Sequence, residues 1–559
     1  MIRAAQDAPS ALYLAPRERL AENFSAEAAK IGVAVENYKQ LSKADRRRPA
    51  RSAFCVNSYS ALADEAPGLP VPELLELDEI EQLIEHIYGE AGTFDDREAI
   101  DAAEALKYVI RNSRRILAMD AHLGDLALDY LKAQGRTVLY VVNDYVTERG
   151  PLTIHAQRDG ALAQGEALVN AHEGVIVYAC ASASRAATIS AALVDLLGNA
   201  ADVLLLTAEN GGGERQRAFF ADPNGQIGQY RAVVYSPVIG TGFDITAPVR
   251  AVIGIMAAHL SAYDARQMIG RCRNPRETHV YLPRTSGTLE GSADAIAALE
   301  LEKAERTIKK LTHDGVRVTL EIDNAQRDYL RWHARVMARR NGSINHLREH
   351  FVGLCAGYTI RYSEAQAPEL TAKLAAIKTA LDDARKALVL TVDPIDADTF
   401  RRLRDAGKAD ESAIAGHLRG QIEGVIGVTL SPRVRDQLWT AAQRAQVRRY
   451  TDLYDQIDAL RVADQQDVIN GVPLPKRRHR TVRRNVVVAF LNALTDRGAL
   501  LQLRKDELDA AITPVIERWS GDLRRLFGWR PDRCKSPAAT ARRVLESVGL
   551  KLNSDQQTV

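Results

Sequence analysis

The chain has 559 residues, 46% hydrophobic and 26% charged, with a formal net charge of +2; at about 100–200 residues each this predicts three or four domains. Its longest apolar run, NVVVAFLNAL, falls well short of the ~18–20 residues of a membrane span, so no membrane partner is expected. Five scattered cysteines without a CxxC pair (Cys55, Cys180, Cys272, Cys355 and Cys534) argue against a disulfide framework and a zinc cluster, and the N-terminal stretch has no secretory apolar core, so residence in the cytoplasm is expected.

In chain order, apolar runs without alternation predict strands at ALYLAP, SAFCVN, ELLELDE, RILAMDA, TVLYVVN, GVIVYAC, DVLLLTA, AVVYSPV, AVIGIMA and HVYLP. Such runs suit parallel strands buried on both faces. Helical patterns such as DLALDYLKAQG and SRAATISAALVDLLGN fall between several of them, the rhythm of doubly wound α/β domains. From Leu299 onward long, charged, amphipathic helices replace the strands. The plan is therefore α/β domains at residues 1–135 and 136–290, followed by an all-α region at 291–559. Residues 301–559 hold 45 Lys and Arg against 33 Asp and Glu, leaving 29 against 39 in residues 1–300. A basic second half suits a polyanion partner, or else it is a helical region with arginine on solvated faces.

Four stretches carry chemistry. LLELDE delivers Asp78 and Glu79 to a strand end, the edge where α/β sheets bind ligands. There one carboxylate can hold Mg²⁺ and the next can orient an attacking water; alternatively both cap the following helix. In AMDAHLGD, Asp120 lies at a second strand end, and Asp125 reads as a helix cap. VIGTGFDIT places Gly240, Thr241 and Gly242 where backbone can approach a phosphate, with Asp244 able to accept from a ribose hydroxyl. QMIGRCRNPR sets Gln267, Gly270, Arg271 and Arg273 on a helix end, either a basic surface or guanidinium groups that grip phosphate.

Taken in order with ALYLAPRERLA, FCVNSYSAL and GVIVYACASASRAATI, these stretches resemble the successive motifs of a superfamily 2 helicase core over about residues 10–285. Their wording is similar to that of the replication-origin-binding helicases of herpesviruses, phages and plasmids. The resemblance implies two RecA-like domains, the first incomplete, and an ATP-dependent DNA helicase or translocase of phage or plasmid replication. ATP and Mg²⁺ are the implied cofactors. Single-stranded or origin DNA and replication proteins are the implied partners. It implies Asp78 for the metal, Glu79 for water activation, and Asp120 for coupling. Gly240 and Asp244 go to the nucleotide and Thr241 to nucleic acid. Gln267, Gly270, Arg271 and Arg273 face the nucleotide from the second domain. Pro16, Arg17, Asn57 and Ser58 lie along the nucleic-acid backbone.

Two positions depart from the family pattern. Gly270-Arg271-Cys272-Arg273 replaces the GRxxR spacing, and His122 stands where an acid is expected. A larger departure is that GxxxxGKS/T, the loop that cradles the β- and γ-phosphates, occurs nowhere in the 559 residues. The expectation is an N-terminal truncation, with a start assigned too far downstream or an upstream polypeptide supplying the loop. The alternative is a degenerate core acting as a non-catalytic nucleic-acid-binding or scaffold protein. Further on, ARRNGSINHLREHF (with Arg339, Arg340, Asn341 and Arg348) resembles the helical segment that follows the last motif in such proteins. Lys476, Arg477 and Arg478 form a basic cluster for phosphates or a solvated loop.

Overall fold

The computed structural model describes residues 1–41, 50–60, 71–89, 96–143, 148–237, 244–285, 287–309 and 323–426, with shorter segments beyond, chiefly 432–437, 505–527 and 536–546. It divides into two compact units, residues 1–299 with 322–381 and residues 300–321 with 382–559.

The first unit holds both expected α/β domains. Its first sheet contains β1 (Ala11–Ala15), β2 (Glu36–Asn37), β3 (Arg51–Cys55), β4 (Leu74–Asp78) and β5 (Arg115–Met119), in the order β2-β3-β1-β4-β5. All pairs are parallel. The apolar run of β1 is buried along its whole length, as a central parallel strand requires. On one face, Leu75 and Leu77 of β4 pack with Leu83, Ile84 and Ile87 of the helix Ile80–Tyr88. Alternate β4 residues point the other way, where Leu74 meets Ala5, Ala8 and Ala11.

The second sheet contains β6 (Pro151–His155), β7 (Ile176–Cys180), β8 (Val203–Leu206), β9 (Ala232–Tyr235), β10 (Val249–Ile255), β11 (Pro275–Tyr281) and β12 (Thr359–Ser363). Its order is β12-β6-β11-β10-β7-β9-β8, again parallel throughout. Ser182 caps the helix Ala183–Leu197 by accepting from the Arg185 amide, and Gly198 ends it in the left-handed region at φ 67°.

Two features differ from the sequence reading. The α/β unit reaches past residue 291, because β12 joins β6 and the helix Asn324–Asn345 packs on the first domain through fully buried Trp332. Residues 359–363 escaped notice because their strand is largely exposed and polar. The expected strand TVLYVVN joins no sheet among the described residues, and Leu139 and Val141 are 88% and 77% exposed.

The second unit is helical among its described residues, apart from a two-residue antiparallel ladder of β13 (Thr495–Asp496) and β14 (Ala499–Leu500). One of its cores gathers Val486, Phe490, Ile512, Leu523, Ala541 and Val544.

Candidate functional site

The carboxyl ends of β4 and β5 open onto a cleft of about 250 Å³, walled on the other side by the helix Ala262–Gly270 and the turn after it. Parallel strands of one sheet release their chains at one edge, which is why Asp78 and Asp120, 42 positions apart in sequence, arrive together.

Glu79 turns out of β4 into the next helix with φ 52° and ψ 52°. This left-handed geometry is costly for a residue with a long side chain, and such strain clusters at functional sites. Its carboxylate accepts from Gln82 Nε2 at 3.0 Å. Burial pushes the Glu79 carboxyl up to about 7, Asp120 and Asp78 add to the shift, and Arg271 opposes it. Asp78 accepts from the Tyr13 hydroxyl at 2.6 Å. Asp120 accepts from the backbone amides of Glu81 (3.0 Å) and His122 (2.8 Å). Burial raises its pKa despite those two donors. His122 is held neutral, pushed down to about 4 by burial and by Arg266 and Arg339.

On the opposite wall the helix Ala262–Gly270 starts with a capping box of Ser261 and Asp264. Gln267, Gly270, Arg271 and Arg273 all line the cleft. The two arginines differ. Arg271 is buried, its Nε has no hydrogen-bond partner, and desolvation lowers its pKa while Asp244 and Glu79 pull it back. Arg273 is about half exposed and donates to Asp244 Oδ2 at 2.7 Å. Asp244 thus holds the arginine turn, with Arg271 Nη1 at 3.8 Å from its other oxygen. Gly240 and Thr241 lie outside the described residues, as do Lys476, Arg477 and Arg478.

Of the proposed backbone contacts, Asn57 and Arg17 act on one histidine. Asn57 Oδ1 meets His86 Nε2 at 2.8 Å, and burial together with Arg17 lowers the His86 pKa. Ser58 Oγ lies 3.4 Å from Cys55 Sγ, and Pro16 is buried.

The sequence reading missed Glu81. Buried at the fourth position of DEIE, it accepts from the amides of Gly124 (2.7 Å) and Ala127 (3.3 Å), and it pairs with Arg339 of the helix Asn324–Asn345. The Arg339 guanidinium also lies 4.6 Å from the centroid of the Tyr263 ring. Farther along the same helix, Ser343 Oγ accepts from the Ala262 amide at 3.0 Å. This helix therefore touches both walls of the cleft. Only the acidic spacing of DEIE hinted at Glu81, and nothing local links it to an arginine 258 positions away.

No family model and no curated protein matches this chain. Similar solved structures include S. cerevisiae Dbp5 bound to RNA and ADP BeF3, 12% identical, covering 59% of this chain and 82% of that one at a TM-score of 0.37. The DEAD-box helicase Mss116 bound to ssRNA and UDP-BeF is 11% identical, covering 79% of this chain and 82% of that one at 0.41. The DUF1998 helicase MrfA bound to DNA and AMPPNP is 14% identical, covering 50% of this chain and 43% of that one at 0.38. Overlap this loose says nothing of activity or substrate here.

Proposed function

We propose that the chain is the nucleotide-responsive core of a nucleic-acid helicase or translocase. The observation that carries this reading is the cleft itself. The carboxylates Glu79 and Asp120 stand on one wall, with Asp78 next to Glu79 at the end of β4, and a buried arginine with an unpartnered Nε, Arg271, stands on the other. A cleft of about 250 Å³ is smaller than the ~300–1,000 Å³ of most small-molecule pockets and suits the phosphate end of a nucleotide. Anionic phosphate would satisfy Arg271, for which Asp244 is a distant partner at 3.8 Å.

The donor set fits Mg²⁺, which takes one or two carboxylates and completes its shell with phosphates and water. Asp78 would hold it, and the cation would supply charge neutralisation at the phosphates. Glu79 is suited to accept a proton from water, since its raised pKa places it near neutrality. Between the two arginines, Arg271 is the one that faces Glu79, while Arg273 serves the turn by holding Asp244. Arg17, Asn57 and Ser58 are proposed to hold the backbone of a single strand. DNA as that strand, and phage or plasmid replication as the setting, rest on the motif resemblance.

A second reading is favoured by the sequence: with no GxxxxGKS/T among the 559 residues, the chain by itself is a nucleic-acid-binding scaffold. One experiment separates the two. The chain is joined to a GxxxxGKT segment and assayed for DNA-stimulated ATP hydrolysis beside Glu79→Gln and Arg271→Ala. Turnover lost in both variants supports the helicase reading, and no turnover in the joined parent supports the scaffold.

A further inference from the structure

The second sheet carries a cavity on the face that the cleft does not use. The cleft helix Ala262–Gly270 packs on one face, where Ala265, Met268 and Ile269 meet Val252 and Val280. Alternate residues of β10, Ala251 and Ile253, point to the opposite face. There the helices Arg158–Asn170 and Ala183–Leu197 follow the carboxyl ends of β6 and β7. The helix Pro368–Thr391 packs against both through Leu370 and Leu374, which join Leu162 and Ile189 in one apolar cluster. It is pinned at two points: Asp159 accepts from the Ala367 amide at 3.0 Å, and Lys373 Nζ lies 3.0 Å from Asp195.

Between the three helices is a cavity of about 290 Å³. Arg158, Arg185 and Lys378 line it, and among the described residues no carboxylate does. Burial lowers the Arg185 pKa, and the positive charge of Arg158 lowers it further. Like charges converging on a concave wall without a counter-ion draw anions to it. Arg185 Nη1 is held by the Met256 carbonyl at 3.1 Å, which fixes the guanidinium in place.

The floor supplies an independent observation. Leu162, Ile189 and Leu374 also wall an adjoining recess of about 10 Å³, closed by Tyr178 and Glu166. That is room for one water or one hydroxyl group. Tyr178 is 1% exposed and its hydroxyl has no hydrogen-bond partner, which is costly for a buried polar group. Gly165 leaves the hydroxyl its place, since a Cβ there would come within 2.5 Å of it.

We propose that this cavity binds a small phosphorylated alcohol. Its phosphate sits among Arg158, Arg185 and Lys378, its carbon skeleton lies on Leu162, Ile189 and Leu374, and one of its hydroxyl groups enters the recess to meet Tyr178. Cations from three separate helices suit the three free oxygens of a phosphate monoester. A diester in a nucleic-acid strand offers two, and its backbone has no use for an apolar floor or a hydroxyl-sized recess. The site lies on the sheet face away from the cleft and does not rest on the nucleotide reading.

The test titrates glycerol 3-phosphate into the full chain by calorimetry, with inorganic phosphate and glycerol alongside. The expected result is one saturable site for glycerol 3-phosphate, binding at least ~10-fold weaker for inorganic phosphate, and none for glycerol. Arg158→Gln and Lys378→Gln, at exposed positions, should each weaken binding about 10-fold without moving the melting temperature. Tyr178→Phe should weaken glycerol 3-phosphate about 3- to 10-fold and leave inorganic phosphate unchanged. Its melting temperature should hold or rise, because an unpaired buried hydroxyl is gone. Arg271→Ala, in the cleft, should bind as the parent does. No binding, unchanged affinity in the Arg158 and Lys378 variants, or loss in Arg271→Ala overturns the site. Equal affinity for inorganic phosphate, or no effect of Tyr178→Phe, overturns the alcohol as its ligand. Displacement of the probe by a short single-stranded oligonucleotide overturns the proposal as well, by giving the cavity to a nucleic-acid backbone.

Discussion

The two parallel sheets meet water at their outer strands in different ways. In the second sheet β12, TIRYS, carries a positive charge and hydroxyl groups, and Tyr362 is 72% exposed; β8 at the far edge is covered by the helix Ala183–Leu197. In the first sheet β5, outermost among the described residues, is built of Ile, Leu, Ala and Met, with Met119 41% exposed. Polar residues let β12 end a sheet, whereas the composition of β5 is that of a strand meant to continue one. The cleft shows the same asymmetry. The second domain supplies an arginine turn that Asp244 already orders, while the first supplies carboxylates whose raised pKa values call for a counter-charge.

The sharpest way to break this comparison is through the arginines. With a phosphate loop supplied, Arg271→Ala should lower ATP turnover by about 10³-fold or more, as for a lost arginine finger. Arg273→Ala should cost less, about 10-fold, because it acts through Asp244. Steady-state hydrolysis of the two variants decides, and equal losses would refute the division of roles.

Next in size is the dependence of the first domain on a distant helix. Trp332 is fully buried beside Tyr130, with ring centroids 4.8 Å apart. Trp332→Ala should cost about 3–5 kcal/mol, seen as early melting of residues 1–135 in hydrogen exchange. Arg339→Met should also destabilise, by about 2–4 kcal/mol, since it strands the buried Glu81 carboxylate.

A smaller effect concerns pH. Glu76 on β4 is fully buried with neither oxygen hydrogen-bonded, and burial pushes its carboxyl up to about 7. The native state therefore keeps a proton that the unfolded chain releases near the ordinary 4.5. That contribution to stability is full below 4.5 and is lost as pH rises through about 7. Glu76→Gln should flatten the fall in melting temperature between pH 5 and 8; an unchanged slope would show that Glu76 is not its source.

The smallest predicted change sets the two edges side by side. Tyr362→Lys on β12 should alter stability by no more than about 0.5 kcal/mol and leave solubility unchanged. Met119→Lys on β5 should be equally mild for stability, yet it should reduce self-association at high concentration, measured by light scattering. The same response from both would mean that the two edges are alike.

Much of this was legible from the chain. Nine of the ten apolar runs named as strands pair in parallel, because strands covered on both faces are built from unbroken apolar residues. The strands β2, β6 and β12 were not legible, being short, led by proline or polar. TVLYVVN reads as a strand by composition and has no ladder among the described residues, since a strand is completed by its neighbour.

By itself the sequence determined the strand-end acids, the order of the motifs and the lack of a phosphate-binding lysine loop, all matters of local pattern. Only the tertiary structure decided that Asp244 holds Arg273, that Glu81 takes Arg339 from 258 residues away, and that Arg158, Arg185 and Lys378 line one cavity. Those contacts depend on how parallel strands order themselves in a sheet, and spacing along the chain does not encode that order.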